Sequence, residues 1–193
     1  MVVLEPAWKD YVVLSTDPVF SIEECNAIIK IGKECEQIDG RIRASSKKGD
    51  VNPKIRRSKI AWLPFSKLTW MYQRLEHWMH NVNNKHMGFH QLQIGEMGQF
   101  TTYKKGDHYG WHADTSIHMA ETPPVRKMSM GTLLNDPKEF KGGGIELLGG
   151  KQKIFLKQGH SIFFASFIGH QACPVTKGTR IAMVNWFGGP PLT

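Results

Sequence analysis

The sequence has few cysteines, with only Cys25, Cys35 and Cys173 among 193 residues. No two of them form a CxxC pair, and an odd number cannot be fully paired. A disulfide scaffold and a cysteine-rich zinc site are therefore disfavoured. The composition predicts reduced, buried thiols and a cytoplasmic location, because the cytosol keeps thiols reduced.

Long apolar runs are also lacking. No segment approaches the roughly 18 apolar residues that a membrane span needs. Residues 1–16 contain Glu5, Lys9 and Asp10 and no long apolar stretch, so we expect no secretory leader and no membrane partner. The hydrophobic content of 40% is ordinary for a globular protein. The length predicts one domain over residues 1–193.

Acidic residues are nearly absent from residues 41–59. Asp50 is the only acid there, against eight basic residues, so this segment contributes +7 to a formal net charge of +8. Glycine, serine and proline in the segment predict a mobile basic loop. One interpretation is a docking surface or flap for an acidic peptide or a nucleic acid. The other is a solvated loop without a partner. The absence of aromatic residues argues against base stacking, which disfavours nucleic acid.

The first 89 residues have mainly helical signals. Residues 21–24 have the form of a capping box, with Ser21 at the cap and Glu24 three positions later. Apolar residues at helical spacing then predict helices over residues 22–37 and 67–83, and residues 11–14 and 58–63 have the pattern of strands. We expect residues 1–89 to be a helical support region that carries the basic loop.

From residue 90 onward, short β-type runs alternate with turn signals. The predicted strands are 90–95, 98–104, 107–113, 127–134, 145–148, 153–156, 161–165, 171–176 and 180–187, and residues 115–125 form a longer loop. This pattern is typical of a sandwich or jelly roll. The predicted fold is α+β and mainly β: a double-stranded β-helix over residues 90–193, with the N-terminal helices buttressing one sheet.

Three residues of this β region have the chemistry of a metal site. His112 and Asp114 lie two positions apart, so an extended strand projects both from one face. His170 follows a later apolar run. Two histidines and one carboxylate are the facial ligand set of non-haem Fe(II) oxygenases, which leaves coordination positions open. The sequence therefore predicts that His112, Asp114 and His170 are both the metal ligands and the catalytic residues.

Arg180 follows His170 by ten residues, beyond a Lys177-Gly178 turn. A hairpin at this turn would bring strand 180–187 back beside the His170 strand, with Arg180 facing the same cavity. A guanidinium fork suits two-pronged capture of a carboxylate. The pattern thus predicts an iron ion and a dicarboxylic 2-oxo acid held side by side.

Several motifs in order resemble a known family, the Fe(II)- and 2-oxoglutarate-dependent dioxygenases of the prolyl 4-hydroxylase type, often called PKHD-type hydroxylases. The matching residues are Tyr103, Gly106, Tyr109, His112 and Asp114; Arg126, Ser129, Leu134 and Asn135; Phe140, Gly142 and Gly143; and His170, Pro174, Val175, Thr176, Gly178 and Arg180. The resemblance covers roughly residues 90–187. One departure is Thr115, where many relatives have asparagine.

The resemblance implies an activity, its cofactors and further site residues. It implies Fe(II), 2-oxoglutarate and O2, with L-ascorbate as an accessory ligand, and hydroxylation of a C–H bond with release of succinate and CO2. It also places Tyr103 in contact with the 2-oxo acid, whereas from the residues alone Tyr103 is equally a core tyrosine. The implied substrate is a prolyl residue in a peptide or protein.

Two alternative functions stay open at this stage. One is an oxygenase that acts on a free amino acid or another small molecule. The other is a non-catalytic jelly-roll module that binds a partner through the basic loop, although the complete ligand set and Arg180 argue against it. Neither the substrate nor the oligomeric state follows from the sequence.

Other histidines are weaker candidates for the metal site. His108 and His118 lie near the proposed ligands in sequence, but His118 falls in the predicted loop. His77 and His80 share a predicted helix face without an acid or a cysteine at metal spacing. His160 follows a glycine at a turn. We therefore expect none of these side chains to bind the metal.

Overall fold

The structure, a computed structural model, describes residues 10–42, 51–115, 124–150 and 152–191. The described strands form an eight-stranded sheet, a five-stranded sheet and a two-stranded ribbon, with antiparallel pairing throughout. In chain order the strands are β1 (Val12–Leu14), β2 (Ile38–Asp39), β3 (Arg56–Arg57), β4 (Lys59–Leu63), β5 (Gln93–Ile94), β6 (Gly98–Tyr103), β7 (His108–His112), β8 (Val125–Leu133), β9 (Phe140–Gly142), β10 (Ile145–Leu147), β11 (Gln152–Ile154), β12 (Ser161–Ala165), β13 (His170–Ala172), β14 (Val175–Gly178) and β15 (Arg180–Gly189).

From β6 onward the chain crosses repeatedly from one sheet to the other. The larger sheet has the order β1-β12-β8-β15-β6-β4-β2, with β5 paired to β15, and the smaller has the order β11-β10-β13-β7-β3. Such crossing between two antiparallel sheets is the topology of a jelly roll. The predicted fold class is confirmed.

Two α-helices precede most of the strands. Helix α1 spans Ile22–Glu34 and begins with the predicted capping box, in which Ser21 and Glu24 bond each other's backbone N–H. Helix α2 spans Thr69–Val82. Both are shorter than predicted, because Cys35 is already extended and a 3-10 turn, Phe65–Lys67, precedes α2. The other short helical turns are Asn83–Met87, Pro137–Glu139 and Leu148–Gly150.

Both helices cover the outer face of the larger sheet, as predicted. One buried cluster joins helix residues to sheet residues; among its members are Cys25, Ile28, Met71, Leu75, Phe100, Met130, Met183 and Phe187. At Gly32 a Cβ atom would lie 2.4 Å from the Phe100 ring, so only glycine lets α1 approach this strand so closely. Neither α1 nor α2 is long and apolar enough to span a bilayer.

The predicted hairpin between the His170 strand and strand 180–187 is wrong. β15 pairs with β6, β8 and β5 of the larger sheet, whereas His170 lies on β13 of the smaller one. The predicted strand 171–176 is two strands, and its second half, β14, pairs with β9. The chain crosses to the other sheet at Gly178, so Arg180 and His170 reach the interior from opposite sheets.

The prediction of a mobile basic loop over residues 41–59 is wrong for the second half of that range, which contains strands. Residues 43–50 lie outside the described residues, as do residues 116–123 of the predicted loop 115–125. Arg56 and Arg57 form β3, which pairs with β7, and Lys59 begins β4. The Arg56 side chain is buried. Strand pairing with a distant segment, which local composition does not reveal, orders this part of the chain.

Candidate metal centre

Two neighbouring strands of the smaller sheet bring the candidate ligands together. β7 ends at His112, and β13 begins at His170, directly opposite it in the register. Asp114 lies just past the end of β7, where its N–H donates to the Ser166 carbonyl at 2.9 Å. The prediction that one extended strand projects both His112 and Asp114 from the same face is therefore wrong in detail. A bend after the strand, and not strand alternation, turns the carboxylate toward both imidazoles.

The three side chains converge on one point. His112 Nε2 lies 3.6 Å from Asp114 Oδ1, and His170 Nε2 lies 3.5 Å from Asp114 Oδ2. One donor atom from each of the three residues lies within 4.8 Å of the others. Nitrogen and oxygen donors at this separation can bind one divalent ion from one side. The spacing therefore fits the facial site that the sequence predicts.

Hydrogen bonds fix which nitrogen of each histidine faces the centre. His112 Nδ1 lies 2.8 Å from the Gly110 carbonyl, and His170 Nδ1 lies 2.9 Å from the Ile168 carbonyl. A carbonyl oxygen only accepts, so Nδ1 has the proton and the Nε2 lone pair points inward. Metal-binding histidines are held this way in proteins.

The acidic member of the group is held by a serine hydroxyl. Ser129 Oγ donates to Asp114 Oδ2 at 2.7 Å and lies 2.9 Å from Ser166 Oγ. The other carboxylate oxygen, Asp114 Oδ1, faces His112. The carboxylate is thus fixed in place by Ser129, with an oxygen still directed at the imidazoles.

The charge state of the group suits metal binding. Burial and the nearby His170 lower the pKa of His112 to about 4, so its imidazole is neutral at neutral pH. Burial alone would raise the pKa of Asp114, but His170, His112 and the Ser129 hydrogen bond outweigh it and lower the pKa. Neutral imidazoles and a carboxylate are the protonation states that bind divalent metals. The residues present therefore fit Fe(II).

Arg180 lies in the opposite sheet, at the start of β15 and directly across from Tyr103 on β6. Its side chain is only 6% exposed, and burial lowers the pKa of its guanidinium. None of the described residues gives it a carboxylate or a hydrogen-bond acceptor. Its guanidinium carbon is 5.5 Å from the Tyr103 ring centre. A buried cation without an anion is costly, which marks this position as ready for an anionic ligand.

The backbone around Arg180 is held in place by Asn135. The Asn135 side chain accepts from Ile181 N at 2.8 Å and donates to the Thr179 carbonyl at 2.9 Å. On the other side, a Cβ at Gly143 would lie 2.9 Å from Arg180 Cδ, and Gly143 has a φ of +65°. Glycine at 143 thus leaves the room that the Arg180 side chain occupies.

A cavity of about 260 Å³ contains Arg180 in its wall. The remaining wall is mostly apolar and includes Leu133, Phe140, Ile145 and Leu156. Ile145 lies on β10, the strand that pairs with β13 and places Leu147 opposite His170. The cavity therefore lies beside the strand of a candidate ligand, with one buried cation among apolar side chains. This arrangement suits a small organic acid.

The rival histidines lie elsewhere. His108 is on β7, but its ring nitrogens face the carbonyls of Gly106 and Lys54 at 3.3 and 3.2 Å. His160 faces the Gln158 carbonyl at 3.2 Å, and His77 contacts Asn81. His118 is outside the described residues. Within the described part of the chain, the cluster of His112, Asp114 and His170 is the one that could hold a metal ion.

Sequence reasoning missed two aromatic contacts of the centre. The Tyr109 ring stacks on the His112 ring, with centroids 3.5 Å apart and planes at 12°. Trp186 pairs in register with Ser129, and its indole contributes to the lowered pKa of Asp114. The family motif includes Tyr109, but nothing in its spacing shows that it stacks on a ligand.

Comparison with known proteins identifies relatives of the β region. A PKHD-type hydroxylase of Alteromonas mediterranea is 35% identical over 92 residues, which are 45% of this chain and 41% of that protein. A PKHD-type hydroxylase of Prochlorococcus marinus is 37% identical over 89 residues, 45% of this chain and 39% of that protein. The chain thus spans about two fifths of the length of these curated relatives.

Solved structures share the fold over nearly the whole chain. A viral collagen prolyl hydroxylase of Paramecium Bursaria Chlorella virus-1, solved with 2OG, has a TM-score of 0.72 at 24% identity and covers 92% of this chain and 96% of its own. A prolyl hydroxylase of Trichoplax adhaerens, in complex with a hypoxia inducible factor peptide, has a TM-score of 0.74 at 15% identity, with 92% and 83% covered. At these identities the likeness establishes the fold.

The family match covers the strands that build the centre. Residues 98–188 match the model of the 2OG-Fe(II) oxygenase superfamily, a range that contains the candidate ligands, Tyr103 and Arg180. The match, the PKHD-type relatives and the jelly-roll fold agree with the resemblance that the sequence motifs indicated. Over residues 98–188, just under half of the chain, the protein is thus similar to the 2OG-Fe(II) oxygenase superfamily.

Proposed function

We propose that the protein is an Fe(II)- and 2-oxoglutarate-dependent dioxygenase that hydroxylates a C–H bond of a prolyl residue in a peptide or protein. One observation above all supports this: three metal-type donors converge at one sheet, and a buried guanidinium from the other sheet, without an acceptor among the described residues, lines a cavity. A metal site and an anion site held by one barrel are what this reaction requires.

In this proposal His112, Asp114 and His170 bind Fe(II). Arg180 binds the distal carboxylate of 2-oxoglutarate, and the apolar wall excludes water from that ion pair. Tyr103, directly across from Arg180, contacts the same co-substrate. The bound iron supplies O2 activation, and the chain places the co-substrate and the C–H bond beside it. One oxygen atom enters the product hydroxyl and the other enters succinate, with release of CO2.

We further propose that residues 1–193 act as one catalytic domain. Residues 1–89 support the sheet and residues 90–193 contain the catalytic core, since helix and sheet residues share one buried cluster. L-ascorbate is proposed as the accessory reductant. The three cysteines are free thiols, which supports a reducing, cytoplasmic setting. Such a setting also keeps iron ferrous.

The prolyl substrate is supported by the relatives. The structural neighbours include prolyl hydroxylases, and one of them is in complex with a peptide. Basic residues at the edge formed by β3 and the β6–β7 turn favour an acidic peptide. Lys54, Lys104 and Lys105 are exposed there, and Asp107 is already paired with Arg57 at 2.8 Å. We call the four cations Lys54, Arg57, Lys104 and Lys105 the basic edge.

The test is a peptide screen with the iron-loaded protein, 2-oxoglutarate and ascorbate. We expect a gain of about 16 Da on proline, one oxygen atom, and faster turnover when aspartate or glutamate flanks the proline than when lysine does. Reversing two surface charges, Lys104→Glu with Lys105→Glu, should weaken use of the acidic peptide about fivefold, since exposed pairs are each worth under about 1 kcal/mol.

The matched control reverses Lys30 and Lys33, two exposed lysines of helix α1. This control should leave peptide turnover unchanged. Turnover of a free amino acid without turnover of any peptide would replace the peptide substrate with a small molecule. Peptide binding without any 2-oxoglutarate consumption would identify a non-catalytic binding module instead.

A further inference from the structure

Arg56 is a buried cation next to the candidate metal centre. Its side chain is 6% exposed, although it lies in the basic segment whose other described cations are exposed. Its guanidinium donates to Gln99 Oε1 at 2.6 Å, to Ser58 Oγ at 3.1 Å and to the Arg41 carbonyl at 3.1 Å. Three donors are therefore used, each on a neutral acceptor.

These acceptors lie on separate elements. The acceptor Gln99 is on β6 of the larger sheet, and the acceptor Arg41 lies shortly before residues 43–50. The donor, Arg56, is on β3 of the smaller sheet. The Arg56 side chain thus links the two sheets. Its position is fixed by a fork of directed hydrogen bonds, which a lysine could not reproduce.

Arg56 also contacts an aromatic ring. Arg56 pairs in register with Tyr109, and its guanidinium carbon lies 4.5 Å from the Tyr109 ring centre. That ring is the one that stacks on His112 at 3.5 Å and 12°. A guanidinium over an aromatic face is an attractive contact, and it is stronger when the pair is buried. Arg56 therefore contacts Tyr109, and Tyr109 contacts His112. One aromatic ring thus connects a fixed cation to a candidate ligand.

We propose that Arg56 is a positioning residue for the metal centre, acting on His112 through Tyr109. The hydrogen bond from Nδ1 to Gly110 fixes one direction of the imidazole but leaves rotation about that axis. The stacked Tyr109 ring restrains this rotation, and Arg56 holds the Tyr109 ring. The inference rests on the metal centre proposed above, and it adds a residue outside the family motifs. Partners that orient a ligand typically affect metal affinity about 10- to 100-fold.

The test measures Co(II) binding to the metal-free protein by its visible absorption spectrum, which reports coordination geometry. Arg56→Gln should bind Co(II) about tenfold more weakly than the wild type, with an altered spectrum. Arg57→Gln is the matched control, because Arg57 is the next residue on the same strand but is paired with Asp107 at the surface. It should keep the wild-type affinity and spectrum.

A second pair of variants separates positioning from general stability. Tyr109→Phe keeps the stacked ring and should keep the affinity for Co(II) within about twofold, whereas Tyr109→Leu removes the ring and should weaken binding about as much as Arg56→Gln. This pair decides the question if Arg56→Gln does not fold. Folded Arg56→Gln or Tyr109→Leu protein with wild-type affinity and spectrum would overturn the proposal. A wild-type protein that binds no Co(II) would overturn the metal centre itself.

Discussion

Arg180→Ala should weaken 2-oxoglutarate binding by about 2–5 kcal/mol, because truncation leaves a buried carboxylate without its partner. The guanidinium is buried, lacks an acceptor among the described residues and lines the cavity. Arg180→Lys should bind more weakly than the wild type but better than the alanine variant, since lysine supplies charge without the fork. The measurement is calorimetric titration of the metal-loaded protein with 2-oxoglutarate.

A change of co-substrate separates this role from a structural one. Pyruvate has the 2-oxo acid group but no distal carboxylate, so its binding should be nearly the same in the wild type and in Arg180→Ala. Metal affinity should also be unchanged. Equal losses for pyruvate and 2-oxoglutarate would mean that Arg180 supports the barrel or the metal, and that another residue binds the distal carboxylate.

Loss of any one candidate ligand should abolish stoichiometric iron binding and with it 2-oxoglutarate turnover. A three-donor site depends on its geometry, and two donors do not hold the ion. His112→Ala removes one nitrogen donor. Asp114→Asn removes the negative charge while an amide oxygen still accepts from Ser129, whose hydroxyl lies 2.7 Å from the carboxylate. Iron content per folded chain, measured after desalting, checks the prediction.

His108→Ala is the control for these variants. His108 lies on the same strand as His112, but its ring contacts two backbone carbonyls away from the centre. Its removal should leave the iron content unchanged. A folded His112→Ala or Asp114→Asn protein with one iron per chain would contradict the ligand assignment.

Much of the centre could be predicted from local sequence. The spacing of His112, Asp114 and His170 led to the three side chains that the structure brings together. The alternation of short strands and glycine turns predicted the jelly roll, and the capping box at Ser21 predicted the start of α1. Apart from the pairing that brings His170 to His112, these features depend on nearby residues, and sequence patterns report nearby residues well.

What could not be predicted depends on distant strand pairing. Nothing local indicates that β15 joins the larger sheet while β13 joins the smaller one. The same limit applies to Arg56, which looks like its basic neighbours in sequence. Its pairing with Tyr109, 53 positions later, and its bond to Gln99 set its burial. Charge composition describes a segment, whereas register decides which of its side chains turns inward.

The most direct test of the account is an anaerobic titration of the wild-type protein with 2-oxoglutarate, with Fe(II) bound and again after the metal is removed by a chelator. The two sheets are proposed to hold opposite ends of the same molecule, through the metal at one end and Arg180 at the other. We predict one equivalent of 2-oxoglutarate bound to the iron-loaded protein and much weaker binding to the metal-free protein. Equal affinity with and without iron, or no binding to the loaded protein, would contradict the account.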